Sequence, residues 1–257
     1  MNLSGSAAIV TGGLEGIGLA IVEELSRQGA SVVVGSRRGQ QSELKEEVMA
    51  KASGPCQVLP LDVAQQVSVD AFITHAREFQ GPADILVNNA GVSVHQTVEG
   101  HSDDDWNRVI DINLSGPFRM MRACLPEMKA GKFGRIVNIA STAARVAVPT
   151  HAAYCASKTG LVGLTRAVAL EGAPYGVTCV CVSPTWVETS MLRASAETMA
   201  KTNATSYAEE IDKMKQSNPQ NRLTQPGEIA AVVAFCCSKS APALTMEDIQ
   251  VNAGALW

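Results

Sequence analysis

Short apolar runs alternate with longer amphipathic stretches from one end of this chain to the other, and that rhythm limits the possible folds more than any other feature. Ala7–Val10, Ser31–Val34, Gln57–Leu59, Ile85–Val87, Gly134–Ile139, Val177–Val182 and Asp248–Val251 read as strands. Helical spacing occupies Gly16–Gln28, Gln41–Ala52, Val67–Phe79 and His151–Leu170. Ser102-Asp-Asp-Asp105 resembles a capping box for another helix running on towards Met121. A last helix opens with Pro226 near its first turn and ends around Cys237. Strands that are apolar throughout have no side left for water, so they belong to a parallel sheet covered on both faces. Right-handed crossovers then predict one α/β domain over residues 1–257, a doubly wound parallel sheet of about seven strands.

One stretch breaks the rhythm. About 40 residues separate Ser183 from Gln225, whereas structureless loops beyond ~15 residues are uncommon in compact domains. Met191–Lys201 and Tyr207–Gln216 carry helical patterns, which predicts a helical flap over about residues 185–225.

Composition narrows the partners. Hydrophobic residues make up 46% of the 257 and charged ones 18%, enough apolar surface for an ordered core. The balance of 21 basic and 25 acidic residues offers no basic patch for nucleic acid or an anionic membrane. No apolar run reaches the ~20 residues of a membrane span. Met1-Asn2-Leu3-Ser4-Gly5 lacks a basic region ahead of a hydrophobic one, so a cytoplasmic protein is expected. The seven cysteines form no CxxC pair and read as buried thiols. His75, His95 and His101 are scattered without ligand spacing, so no metal site is expected.

Thr11-Gly12-Gly13-Leu14-Glu15-Gly16-Ile17-Gly18 lies between the first strand and the first helix. A pyrophosphate must approach the backbone closely there, so Cβ atoms must be absent and the helix must offer free N–H groups. Gly12 suits the tight turn, Gly16 the close approach and Gly18 the packing of helix on strand. A dinucleotide site of the Rossmann type needs a ribose-binding group at the end of the second strand. The chain supplies Ser36-Arg37-Arg38 and no carboxylate. Arg37 suits bidentate pairing with a 2′-phosphate, which favours NADP(H) and leaves NAD(H) possible. Glu15 points the other way, because its charge would crowd that phosphate.

Tyr154 and Lys158 are one helical turn apart and share a face. A free tyrosine titrates near ~10, too high for proton transfer at neutral pH, and a neighbouring cation lowers that value.

These residues, together with Asp62-Val63, Asn88-Asn89-Ala90-Gly91, Asn113 and Ser141, resemble the short-chain dehydrogenase/reductase family from about Leu3 to the C-terminus. The resemblance implies a catalytic tetrad of Asn113, Ser141, Tyr154 and Lys158. It also implies an oxidoreductase that moves a hydride between a nicotinamide cofactor and a small or medium carbonyl compound or its secondary alcohol. Cofactor contacts would come from Gly12, Leu14, Gly16, Ile17, Gly18, Ser36, Arg37, Arg38, Asp62, Val63, Asn89, Ala90, Gly91, Tyr154, Lys158, Pro184, Val187 and Thr189. Substrate contacts would come from Ser141, Ala143, His151, Tyr154, Trp186, Met191 and Leu192. By the same likeness Asn113 holds a water that connects Lys158 to solvent, and the protein is a homotetramer. Leu161, Leu164, Val168 and Leu256-Trp257 suit such an interface and equally an ordinary core.

Two departures matter. Thr185 stands where the family usually carries glycine, and its side chain either narrows the nicotinamide pocket or is accommodated without effect. Pro184 onward and the ending Gln250-Val-Asn-Ala-Gly-Ala are similar to 3-hydroxybutyrate dehydrogenases and to polyketide or 3-oxoacyl ketoreductases. The carboxylate-gripping residues of the former are replaced, with Ala143 and His151 in two of the places and Ser93 and Ser195 in others, so hydroxybutyrate itself is not the expected substrate. Two other functions stay open on the same fold: an isomerase or dehydratase using the bound cofactor, and a non-catalytic cofactor sensor.

Overall fold

The computed structural model describes residues 2–255 and orders seven parallel strands β3-β2-β1-β4-β5-β6-β7. The strands are β1 (Ala7–Thr11), β2 (Ser31–Ser36), β3 (Cys56–Pro60), β4 (Ile85–Asn88), β5 (Gly134–Ile139), β6 (Val177–Pro184) and β7 (Asp248–Val251). Between them run α1 (Gly16–Arg27), α2 (Ser42–Lys51), α3 (Gln66–Gln80), α4 (Asp103–Ile110), α5 (Gly116–Ala130), α6 (Ala152–Gly172), α7 (Ser190–Asn203), α8 (Tyr207–Gln216) and α9 (Pro226–Cys237).

The period of two along each strand sorts the core into two layers. Val10, Val34, Val87 and Val180 pack under α1 and α9, against Val22, Leu25, Ile229 and Val233. Ile9, Val33, Leu86 and Ile136 face the other way, against Phe72 of α3 and Met120 and Met121 of α5. Both faces of the central strands are therefore dry, whereas the edge strand β7 is half-buried and alternates polar with apolar residues. β1, β2 and β6 reach further than their apolar runs, because Thr11, Ser36 and Pro184 stay in register with neighbouring strands. Pairing extends the ladder where hydrophobicity has already ended.

The helix expected to run from Ser102 towards Met121 is two helices joined by a π turn over Asp111–Ser115, and α5 continues to Ala130. Ser102 caps its start by accepting from the Asp105 N–H at 3.1 Å. Pro117 lacks the N–H that would close an α-helical bond on the Asn113 carbonyl, so the backbone widens at this point.

The flap forms as two helices with a small core of their own, Leu192, Ala196, Met214 and Leu223, roofed by Trp186. Its ends are tied together: Glu188 N–H donates to the Thr224 carbonyl at 3.0 Å and Thr224 N–H to Trp186 at 2.9 Å. Ser206 and Glu209 close a reciprocal capping box on α8.

Leu161 and Val168 belong to the interior, and Leu164 packs against it. Leu256-Trp257, the other interface candidate, lies outside the described residues. Six of the seven cysteines are buried, with Cys155 half-buried.

Candidate active site

The strand order reverses between β1 and β4, and the loops after these two strands therefore diverge to leave a crevice at their C-terminal ends. The two loops are stitched together at its floor. Thr11 Oγ1 accepts from the N–H groups of Asn89 and Ala90, each at 3.1 Å, and Asn89 Nδ2 donates to the carbonyls of Thr11 and Gly12.

The glycine turn needs its glycines for distinct reasons. Gly12 has φ +69°, and a Cβ there would lie 2.9 Å from Ala90 Cα. Gly18 admits none, since its Cβ would meet the Gly12 carbonyl oxygen at 2.2 Å. Backbone N–H groups at the start of α1 consequently face a groove that the glycines themselves leave uncovered, the form a pyrophosphate requires.

A cleft of about 870 Å³ follows from this floor. Leu14, Gly16, Ile17, Gly18, Ser36, Arg37 and Arg38 line one end, with Asp62 and Val63 beside them. Asn89, Ala90, Gly91, Pro184, Val187 and Thr189 line the middle. Ser141, Ala143, His151, Tyr154, Lys158, Trp186, Met191 and Leu192 close the other end. The glycine cradle and the length of the cleft fit a dinucleotide.

Ser141 follows β5 and caps a short 3-10 turn over Thr142–Ala144. Its Oγ accepts from the Ala143 N–H at 3.1 Å, which turns the hydroxyl proton outward. Tyr154 and Lys158 stand one turn apart on α6, and Lys158 Nζ donates to the Ile139 carbonyl at 2.7 Å. Burial raises the Tyr154 pKa above the usual phenol value, and a hydrogen bond with Ser141 works against that rise. Lys158, itself buried, has its pKa pushed down to about 8. The sequence suggested that the ammonium dominates the phenol. Here desolvation dominates both groups, with Nζ 5.6 Å from the tyrosine ring centroid.

Asn113 is fully buried and does not line the cleft. Its Nδ2 donates to the Val92 carbonyl and to Ser157 Oγ, while its Oδ1 accepts from the Val92 N–H. The side chain thus fastens the loop after β4 to α6. Gly91 lies between the two: a Cβ there would sit 3.4 Å from Asn113 Oδ1 and 3.7 Å from Lys158 Nζ.

Thr185 turns its hydroxyl to Asn218 Oδ1 at 3.2 Å, so the departure from glycine ties β6 to the segment after α8. His151 donates through Nδ1 to the Pro149 carbonyl at 2.8 Å, which leaves Nε2 to the cleft. Its ring meets that of His95 edge-on at 4.1 Å, and His95 Nε2 pairs with Ser195 Oγ at 3.1 Å. Sequence reasoning missed Val148, Arg108 and Ser190 as lining residues. Ser190 had one legible signal, since Thr189-Ser190 is a capping pattern before an amphipathic run.

A doubly wound sheet, a glycine cradle at its switch point and a Ser–Tyr–Lys group at the far end of one cleft define a nicotinamide-dependent oxidoreductase. The chain belongs to the short chain dehydrogenase family, whose model matches residues 6–200. It is 33% identical to the D-beta-hydroxybutyrate dehydrogenase of Rhizobium meliloti (strain 1021), over 96% of this chain and 97% of that one. It is 34% identical to the 3-oxoacyl-(acyl-carrier-protein) reductase FabG of Escherichia coli (strain K12), over 99% and 98% respectively. A crystal structure of a variant actinorhodin polyketide ketoreductase with NADPH superposes with a TM-score of 0.92 at 34% identity, each chain covered to 99%. Enzymes of this family use NAD(P)(H).

Proposed function

We propose that this enzyme is an NADPH-preferring reductase of small or medium ketones or keto-acyl compounds, running also as a secondary-alcohol dehydrogenase. One observation carries the reading: Ser141, Tyr154 and Lys158 meet at the end of the cleft away from Ser36–Arg38. The relatives named above, which carry hydroxybutyrate, oxoacyl and polyketide in their names, support the substrate class.

Nicotinamide, when bound, supplies or accepts the hydride. Proton handling falls to the chain. Ser141, its oxygen already engaged by the Ala143 N–H, directs its proton at the substrate oxygen or at Tyr154. Burial raises the phenol pKa and keeps its proton on, while the hydrogen bond with Ser141 works against that rise and eases donation to a carbonyl oxygen. Lys158, its pKa pushed down to about 8, resupplies that proton and would hold the nicotinamide ribose when the cofactor is bound. The Asn113 side chain is engaged by Val92 and Ser157, so its part is to hold the loop after β4 against α6 beside Lys158.

The preference for NADP(H) rests on Arg37, which has no ion-pair partner among the described residues, and on the absence of a carboxylate after β2. One catalytic and dinucleotide-binding domain spans residues 1–257, with its flap at about 185–225. Seven unpaired thiols support a reducing, cytoplasmic setting. Exposed Phe118 on α5 and Leu170 on α6 support assembly through those helices into a homotetramer. No helix among the described residues is long and apolar enough to cross a membrane.

A panel of ketones and secondary alcohols, read by nicotinamide absorbance with both cofactors, tests this. Tyr154→Phe should lower kcat by about 10²–10⁴-fold on every active substrate. An unaffected variant, or turnover without net cofactor change, overturns the reading.

A further inference from the structure

Glu15 is the one carboxylate set inside the glycine turn, and it joins the segment after β2 to the first turn of the flap. Its Oε1 pairs with the Arg38 guanidinium, beyond β2 on the ribose side. Its Oε2 accepts from Ser190 Oγ at 2.9 Å, in the first turn of flap helix α7. Glu15, Arg38 and Ser190 all line the cleft. The approach of turn to flap is built into the backbone as well: a Cβ on Gly16 would lie 3.1 Å from the Thr189 methyl group.

We infer that Glu15 is a specificity-determining strap that makes the flap respond to the 2′-phosphate of the cofactor. This rests on the NADP(H) preference proposed above. With Glu15 in place, Arg38 is neutralised and only Arg37 is free to meet a phosphate. The Arg38 and Glu15 side chains are 47% and 54% exposed, and an exposed pair of this kind is held weakly. A dianionic phosphate, which binds a guanidinium through two charge-assisted bonds, displaces a single carboxylate from it. Glu15, repelled by the incoming charge, then leaves its post and releases Ser190. A 2′-hydroxyl carries no charge, leaves the pair intact and leaves α7 tethered. The strap therefore lowers affinity for NADP(H) relative to what the two arginines would give, and converts its binding into freedom of the flap helix.

The probes are adenosine 2′,5′-bisphosphate and 5′-AMP, which differ at the position in question, with limited trypsinolysis at Arg193 and Lys201 of α7 as the flap readout. In the parent protein the bisphosphate should speed cleavage there by about fivefold, the size of a weak allosteric coupling, and 5′-AMP should not. In Glu15→Ala, which leaves Ser190 without this acceptor, cleavage should be fast without either probe. The ratio of the NADH Kd to the NADPH Kd, from nicotinamide fluorescence, should rise by about fivefold. Ser190→Ala cuts only the flap arm, so cleavage should be fast with or without the bisphosphate, and by reciprocity the Kd ratio should rise, though no further than it does without Glu15.

Arg37→Asp separates the two readings. If the bisphosphate binds the parent no better than 5′-AMP and Arg37→Asp changes nothing, the cofactor preference falls and the strap falls with it. If Arg37→Asp abolishes bisphosphate binding while Glu15→Ala leaves both the Kd ratio and the cleavage rate unchanged, the preference stands and the strap alone is overturned.

Discussion

At the scale of single residues, burial acts on this site more strongly than pairing does. His95 shows it most plainly, its pKa pushed down to about 4 from 6.5, chiefly by burial and then by the charge of neighbouring His151. The unfolded chain takes up a proton there near 6.5, whereas the folded protein resists until about 4, so acid favours unfolding through that interval. Glu210 and Glu228, with pKa values lowered to about 2, contribute stability that is present above 4.5 and lost only below it. The upper part of the window, from 6.5 to 4.5, thus isolates the histidine. Urea titrations should show stability falling with pH across that range in the parent and a flatter line in His95→Gln. Equal slopes would mean that the ring is solvated. The same burial raises the Tyr154 pKa, a shift that its spacing from Lys158 does not disclose.

At the scale of elements, the site depends on backbones that come too close for side chains. Gly18 belongs to α1 by sequence, yet its Cα lies against the Gly12 carbonyl of the preceding turn. Gly18→Ala should cost about 1–3 kcal/mol of stability, as overpacking does, and should weaken both dinucleotides together. Urea unfolding and fluorescence titration check this, and selective loss of one cofactor would contradict it. The π turn is the element that hydrophobic periodicity could not reveal. Ile112 and Val109 are buried as a continuous helix would bury them, and only Pro117 hints that the ladder is broken. The flap is the reverse case: two amphipathic stretches announced its helices, while the bridge between Val187 and Thr224 that gathers them at their base joins residues far apart in sequence.

At the scale of the whole molecule, one sheet with helices on both faces leaves several large apolar side chains outside its two cores. Phe118 is 45% exposed on α5 and Leu170 62% exposed on α6. Isologous contacts through such faces build closed assemblies of even number. Light scattering should return a mass of about four chains, and Phe118→Glu should shift it towards smaller species; a monomeric parent would remove this proposal. Leu161 and Val168, which the sequence left divided between interface and interior, turn inward because α6 lays one face on β5 and β6, a choice that depends on helix rotation.

The amino-acid order alone determined the parallel layering, the glycine cradle and the Tyr–Lys pair, because each is written in local spacing: strand runs, a turn motif, a single helical turn; Ser141 was named through the family resemblance. Tertiary structure decided the rest. That Glu15 reaches both Arg38 and Ser190, that Asn113 serves the loop after β4, and that Thr185 turns to Asn218 are contacts across many residues of chain. Which side chains meet at such range is set by how helices rotate onto the sheet, and no spacing within one segment encodes that.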